Sequence, residues 1–461
     1  MTNTPAAHYA LYTLQALCAA GVAVALWLMP GAPRLLTWLA LFAMAAMASI
    51  VYRRSGAYCL AGEGVIATTV TLLGILLIAN VHSYCQAGGT DMYPVLNNHD
   101  LSRNYNDALS LLGYGGQAAP VEHGYYASIA AALMWVTGGP SITVASLLSL
   151  ACLTATLLLT AGTVWRLTAD RRVAVTAMVC VVMICQLAAL ATVFIKDCWV
   201  IMTMALAAYG LVQWRRSIPW LVALAIVMMA PVRTNYVFAI AAGVVVFSCF
   251  TSDFRRKWLW TASLLLLCIV AWAAVHYTGH SPRIAIVTAG APDLDQYRTA
   301  SQQAYYDIVG NDLNASPLRK IVNIPAAAVT QFLIPLPWTC MRDAVFGPSF
   351  VVAHFGYTWY FFAAVFVYYF FVWRRVAAGP AARAVMLLAL WGLLCWLLPC
   401  YLAMGTVSRY ALSAIPLTAP AVALTLQRCR RRSLAIWLCV FAVAMAMVLN
   451  VVMNMQQAAM A

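Results

Sequence analysis

The feature that most constrains this chain is a train of apolar stretches about 20 residues long, each the length needed to cross a bilayer as a helix. Taken on that basis, the sequence predicts spans near 9–29, 34–52, 64–82, 141–164, 173–194, 198–213, 217–232, 235–250, 258–276, 350–373, 384–402, 410–426 and 434–453. The expected fold is therefore all-α and polytopic, with about 13 transmembrane helices, or as few as 11 if short segments tilt or re-enter. Composition agrees: 64% of residues are hydrophobic and 9% are charged, against about 25% charged in an ordinary soluble domain. The stretch from Tyr9 to Met29 lacks a basic leader and is long enough to span, so it reads as a helix rather than a secretory signal.

The net charge of +14 invites a nucleic-acid reading, but its distribution argues against one. Basic residues cluster at Arg53/Arg54, Arg166/Arg171/Arg172, Arg215/Arg216, Arg255/Arg256/Lys257, Arg374/Arg375/Arg383 and Arg428/Arg430/Arg431/Arg432. All of these fall on one side of the predicted spans, accompanied only by Glu63, Asp170 and Asp253. The positive-inside rule makes that side cytoplasmic. The amino terminus then lies inside and the carboxyl terminus outside, and the opposite side balances its acids and bases. The expectation is a single integral membrane domain, 1–461, of a bacterial cytoplasmic (inner) membrane. Two long extracytoplasmic loops, 83–140 with interfacial helices and 277–349, are rich in Tyr, Leu, Trp and Pro, and loops of that length are generally functional.

Cysteines such as Cys152, Cys180, Cys268 and Cys439 sit inside apolar runs as small hydrophobes. Cys85 and Cys340, both in outer loops, are placed to pair. No Cys/His spacing suits a metal, so neither a metal nor a cofactor is expected.

The residues able to do chemistry lie on the outer side. In the first loop Asp100 precedes a run whose Leu101, Tyr105, Ala108, Leu109 and Leu112 share a helical face, which predicts a helix lying on the membrane surface. Asp100 has two readings: an N-cap, or a general base held at the surface. Asp91, beside Gly88, Gly89 and Thr90, is either a turn residue or a second candidate base. Lys196 and Asp197 lie between two spans; Asp197 suits a cap, and Lys196 suits either snorkelling to headgroups or donation to a lipid phosphate. Arg103 is a further loop cation. Arg233 in Pro231-Val232-Arg233 and Arg409 in Ser408-Arg409-Tyr410 are interfacial arginines, costly unless paired and well shaped for phosphate.

In order along the chain, these parts resemble the C-type glycosyltransferase (GT-C) superfamily, and within it the bacterial relatives of protein mannosyltransferases and of lipid A aminoarabinose transferase. The likeness rests on Asp100 with Tyr105, Ala108 and Leu109; on Gly124-Tyr125-Tyr126 and the turn Thr137-Gly138-Gly139-Pro140; on Lys196-Asp197 followed by Pro231-Val232-Arg233; and on Arg409-Tyr410 with Pro416. It covers roughly residues 85–430. The chain departs from the family in carrying Leu101 where many relatives have a second acid, in placing Tyr105 one position late, and in having three spans before the first large loop.

The resemblance implies a membrane glycosyltransferase that moves a sugar from a polyprenyl-phosphate donor to a lipid, glycan or protein acceptor on the outer face. Asp100, or Asp91, serves as the catalytic carboxylate. Lys196, Arg233 and Arg409 hold the donor phosphate, and Asp197, Tyr105 and Tyr410 support them. The expected partners are the prenyl-linked sugar, an acceptor and the bilayer, with no nucleic acid. A surface-polysaccharide polymerase or ligase shares many of these features. A secondary transporter or flippase, from a different class, predicts mid-bilayer charges and broken helices in paired halves.

Overall fold

The computed structural model describes residues 99–114, 124–184, 194–212, 220–234, 236–250, 257–277, 357–376, 379–401 and 408–429, with a few positions between 67 and 78 and between these ranges. The described residues are helical, with no strand among them. The helices are α1 (His99–Leu111), α2 (Gly124–Val136), α3 (Ile142–Thr168), α4 (Arg171–Val182), α5 (Lys196–Val212) and α6 (Trp220–Met229). There follow α7 (Tyr236–Phe250), α8 (Lys257–Tyr277), α9 (Tyr357–Val376), α10 (Gly379–Tyr401), a 3-10 helix (Ser408–Ala414) and α11 (Ile415–Arg428). Two of them, Ile142–Thr168 and Trp258–Val275, are long and apolar enough to cross a membrane. The expected spans at 9–29, 34–52 and 434–453, and the Cys85–Cys340 pairing, lie outside the described residues.

α3 is the axis of the assembly. Ser141 starts it, its side chain accepting from the Val144 N–H at 3.4 Å, which satisfies one of the amides that a helix start leaves without an internal partner. Ala169, in the left-handed region at φ 49°, stops it. Asp170 then caps α4 by accepting from the Arg172 N–H at 3.0 Å. α5 lies along α3 and runs in the same direction, since Ser149 meets Ile195 near one end and Gly162 backs onto Tyr209 near the other. Helical residues before α1 pack on the far flank of α3, where the Thr71 and Thr154 hydroxyls bond at 2.6 Å.

The 3-10 helix and α11 pack on α5, and α10 packs in turn on both of them and on α7. Gly243 of α7 leaves no room for a Cβ, so the Trp391 indole lies flat against that helix. Its Nε1–H donates to the Ala239 carbonyl at 2.7 Å, which satisfies the polar edge of a fully buried ring. α11 ends beside the start of α4, where Gln427 donates to Thr176 and Arg428 to Asp170.

Two expected boundaries need correction. The predicted span 173–194 is no single helix: α4 stops at Val182, and a tight turn at Met183–Ile184 ends it. The stretch is apolar apart from Gln186 and two threonines, so composition carries little mark of the break. The predicted span 410–426 is 3-10 up to Ala414 and α-helical only from Ile415. Pro416 lacks an N–H and fits the first turn of a new helix better than the interior of an old one. α2 is a compact apolar helix within the 83–140 segment, where interfacial helices are expected.

Candidate functional site: a buried charge cluster at the start of α5

The site is built at the end of the bundle where α5 begins. Pro231 cannot donate a backbone hydrogen bond, and α6 gives way to a turn in which the Val232 and Arg233 amides both bond to the Met229 carbonyl. Thr234 returns its hydroxyl to Ala230, and the Arg233 carbonyl accepts from Tyr236 as α7 starts. Arg233 is thus fixed in the connection between two helices. Trp199, one turn into α5, donates its indole N–H to the Met228 carbonyl at 2.9 Å and ties that connection to α5.

Across this contact the Arg233 guanidinium donates to Asp197 Oδ1 at 3.0 Å. The two side chains are 12% and 7% exposed, so the pair is nearly desolvated. Lys196, next in the chain, is 2% exposed. Two cations and one carboxylate therefore share the buried amino end of α5, which also carries the positive end of the helix dipole. Lys196 is buried in the bundle rather than extended outward as a snorkelling residue. Asp197 is not a cap either: α5 already begins at Lys196, and the carboxylate lies in the first turn, facing Arg233. Cys198 follows directly, a free thiol at 1% exposure.

Behind this turn, residues 194–195 are non-helical and buried, so their backbone needs partners. Tyr126 of α2 donates to the Ile195 carbonyl at 2.8 Å, and the Ile195 N–H donates to Ser149 of α3 at 3.1 Å. The Tyr126 ring stacks on Phe194 with centroids 4.7 Å apart and meets Trp199 edge-on. Burial, then the nearby Cys152 and Cys198 thiols and Asp197, push the Tyr126 phenol well above its ordinary value, so it stays a donor.

The structure brings Lys196, Asp197 and Arg233 together. The 3-10 helix that carries Arg409 and Tyr410 packs on α5 and α10. Asp100 belongs to α1, which packs on α2, which in turn rests on α3. Asp100 stands within the helix, one residue after His99, and not ahead of it as a cap would. Asp91 lies outside the described residues.

The inward face of α1 includes residues of the expected apolar stripe and adds polar ones to it. Ala108 is buried and Tyr105 and Leu112 pack against the core, while Leu111, off the stripe, is exposed; Asn104 and Asp107 are buried as well. Asn104 is 0% exposed, and neither end of its amide has a hydrogen-bond partner among the described residues. Asn104 and Asp107 are three apart and so share one side of the helix. That spacing is visible in the sequence, but neither residue belongs to the apolar stripe. Among the described residues no cluster of His, Cys, Asp or Glu suits a metal. No family model matches the chain, nor does any curated protein or solved structure.

Proposed function

We propose that the chain is a membrane glycosyltransferase of GT-C type, moving a sugar from a polyprenyl-phosphate donor to an acceptor on the outer face of a bacterial inner membrane. The observation that carries this reading is the desolvated Arg233–Asp197 pair with Lys196 buried beside it at the amino end of α5. An excess of fixed cations at a helix start is a setting for a phosphate: the amides, the dipole and the guanidinium all favour a negative charge. A departing lipid phosphate needs that stabilisation as the glycosidic bond breaks. Arg409, carried by the 3-10 helix against α5, is the third donor contact.

Separation of charge also supports the reading. The cluster at Arg166, Arg171, Arg172 and Arg428 sits at the opposite end of α3 and α11 from Lys196, Asp197 and Arg233. Ser149, beside the site, and Arg166 are 17 residues apart on α3, about 26 Å of helix at 1.5 Å per residue. That is close to the roughly 30 Å hydrocarbon thickness of a bilayer. In this arrangement the basic end faces the cytoplasm, and about 13 helices span in all. α1 and α2 form an outer cap, with Asp100 as the base that takes the acceptor proton and Asp91 as the alternative.

Mass spectrometry of lipids that co-purify with the protein tests the class. A monosaccharide on a prenyl monophosphate is the expected finding. A long glycan on a diphosphate would replace the reading with a polymerase or ligase, and uptake of a solute into proteoliposomes would replace it with a transporter. Asp100→Asn should abolish transfer while leaving the protein folded and inserted, as judged by gel filtration and thermal unfolding. Full transfer by this variant would remove Asp100 from the chemistry.

A further inference from the structure

α3 carries a series of buried or half-buried hydroxyls. Those of Thr154, Thr156, Thr163 and Thr168 return to the carbonyl four residues back on the same helix. Ser149 does something else. Its Oγ accepts from the Ile195 N–H at 3.1 Å and lies 3.0 Å from the Tyr126 hydroxyl, which reaches the Ile195 carbonyl at 2.8 Å. One proton assignment serves every group. The Ile195 N–H donates to Ser149, the Tyr126 hydroxyl donates to the Ile195 carbonyl, and the Ser149 hydroxyl donates to Tyr126, with the Ile195 carbonyl a second acceptor for it at 3.3 Å. The three residues close a ring of hydrogen bonds in a buried setting, where such bonds polarise and strengthen one another.

The ring holds both polar groups of a single residue, and that residue stands immediately before Lys196 and Asp197. Its holders come from two other elements, α2 and α3. The stack of Tyr126 on Phe194 fixes the preceding residue as well. A small shift in the direction of α5's first turn would carry Lys196 and the Asp197 carboxylate away from Arg233. Lost alignment of about 1 Å at a charged site is costly to binding or rate.

We infer that Tyr126 and Ser149 are positioning residues: together they clamp Ile195 and so set the geometry of Lys196, Asp197 and Arg233 as a site for the phosphate monoester of a lipid. This inference rests on the phosphate reading given above. It adds that the outer helix α2, next to the helix bearing Asp100, sets the geometry of the anion-binding end of α5.

The experiment uses the full chain in detergent, decyl phosphate as probe, and hydrogen exchange read at residues 194–199. Tyr126→Phe removes one oxygen and keeps the stacked ring. It should speed exchange at 194–199 and weaken decyl phosphate binding about tenfold. Ser149→Ala should do the same, and Ser149→Thr, which keeps a hydroxyl, should restore binding to near the wild-type value. Thr156→Val provides the contrast, since that hydroxyl bonds only to its own helix among the described residues; it should leave decyl phosphate affinity unchanged even if it lowers the melting temperature. Should Tyr126→Phe not fold, Ser149→Ala and Ser149→Thr carry the test alone.

Unchanged exchange and affinity in Tyr126→Phe and Ser149→Ala, with the wild type binding normally, overturns the clamp and leaves the phosphate reading standing. Equal losses of affinity in Thr156→Val and Ser149→Ala also overturn it, since general loosening then explains both. A wild type that binds no decyl phosphate overturns the phosphate reading and the positioning role with it.

Discussion

Two Arg–Asp pairs mark opposite ends of the bundle, and the contrast between them separates a site from a surface contact. Arg428 reaches Asp170 at 3.5 Å, with both side chains 37% exposed. Arg233 reaches Asp197 at 3.0 Å, at 12% and 7%. The first pair joins two helix ends in water or among headgroups, where charges are screened and their attraction contributes little. The second has given up most of its hydration, so each partner depends on the other. Identical chemistry therefore has a different meaning at each end, and burial decides which.

The comparison breaks most readily at the buried pair. Asp197→Ala leaves the Arg233 charge without that partner and should cost about 3–5 kcal/mol, the range for half of a buried ion pair, read as a large fall in melting temperature in detergent. A loss no greater than that of a surface variant would mean that water reaches the pair.

Asn104 gives the next largest effect, with a sign that sharpens the contrast. A buried amide without hydrogen bonds costs roughly 1–3 kcal/mol. Asn104→Leu should therefore raise stability by about 1 kcal/mol or more, while lowering transfer if the amide serves a ligand. Lowered stability would show that the amide is satisfied in the native protein.

The smallest effect belongs to Arg428→Ala, expected to cost less than about 1 kcal/mol and to vanish at high salt. Thermal unfolding across a salt series measures it. A loss as large as that of Asp197→Ala would erase the difference between the two ends.

Much of α3 was legible in advance, because an apolar run bounded by Ser141 and by Arg166 has few ways to fold. The sequence places the start at 141 and the end at 164; the helix runs from Ile142 to Thr168. Lys196, Asp197 and Arg233 were each legible as costly charges near apolar ends, but their partnership was not. Asp197 and Arg233 are separated by 36 positions, and no spacing rule for a single helix covers such a pair. The inward face of α1 is legible only in part. Periodicity points to Tyr105, Ala108 and Leu112, which do pack inward, but it gives no reason to bury Asn104 and Asp107, which tertiary packing also turns inward. The early end of α4 had no local signature, but the switch from 3-10 to α-helix at Ile415 had one in Pro416.

Cys198 gives the buried end of α5 an internal reporter. Its sulfur is shut away one residue past the charged pair, so a maleimide can reach it only while that end of the bundle is transiently open. The rate of labelling under native conditions thus counts openings directly. A lipid phosphate that occupies the site should slow the count in proportion to its occupancy, with no need for a transfer assay.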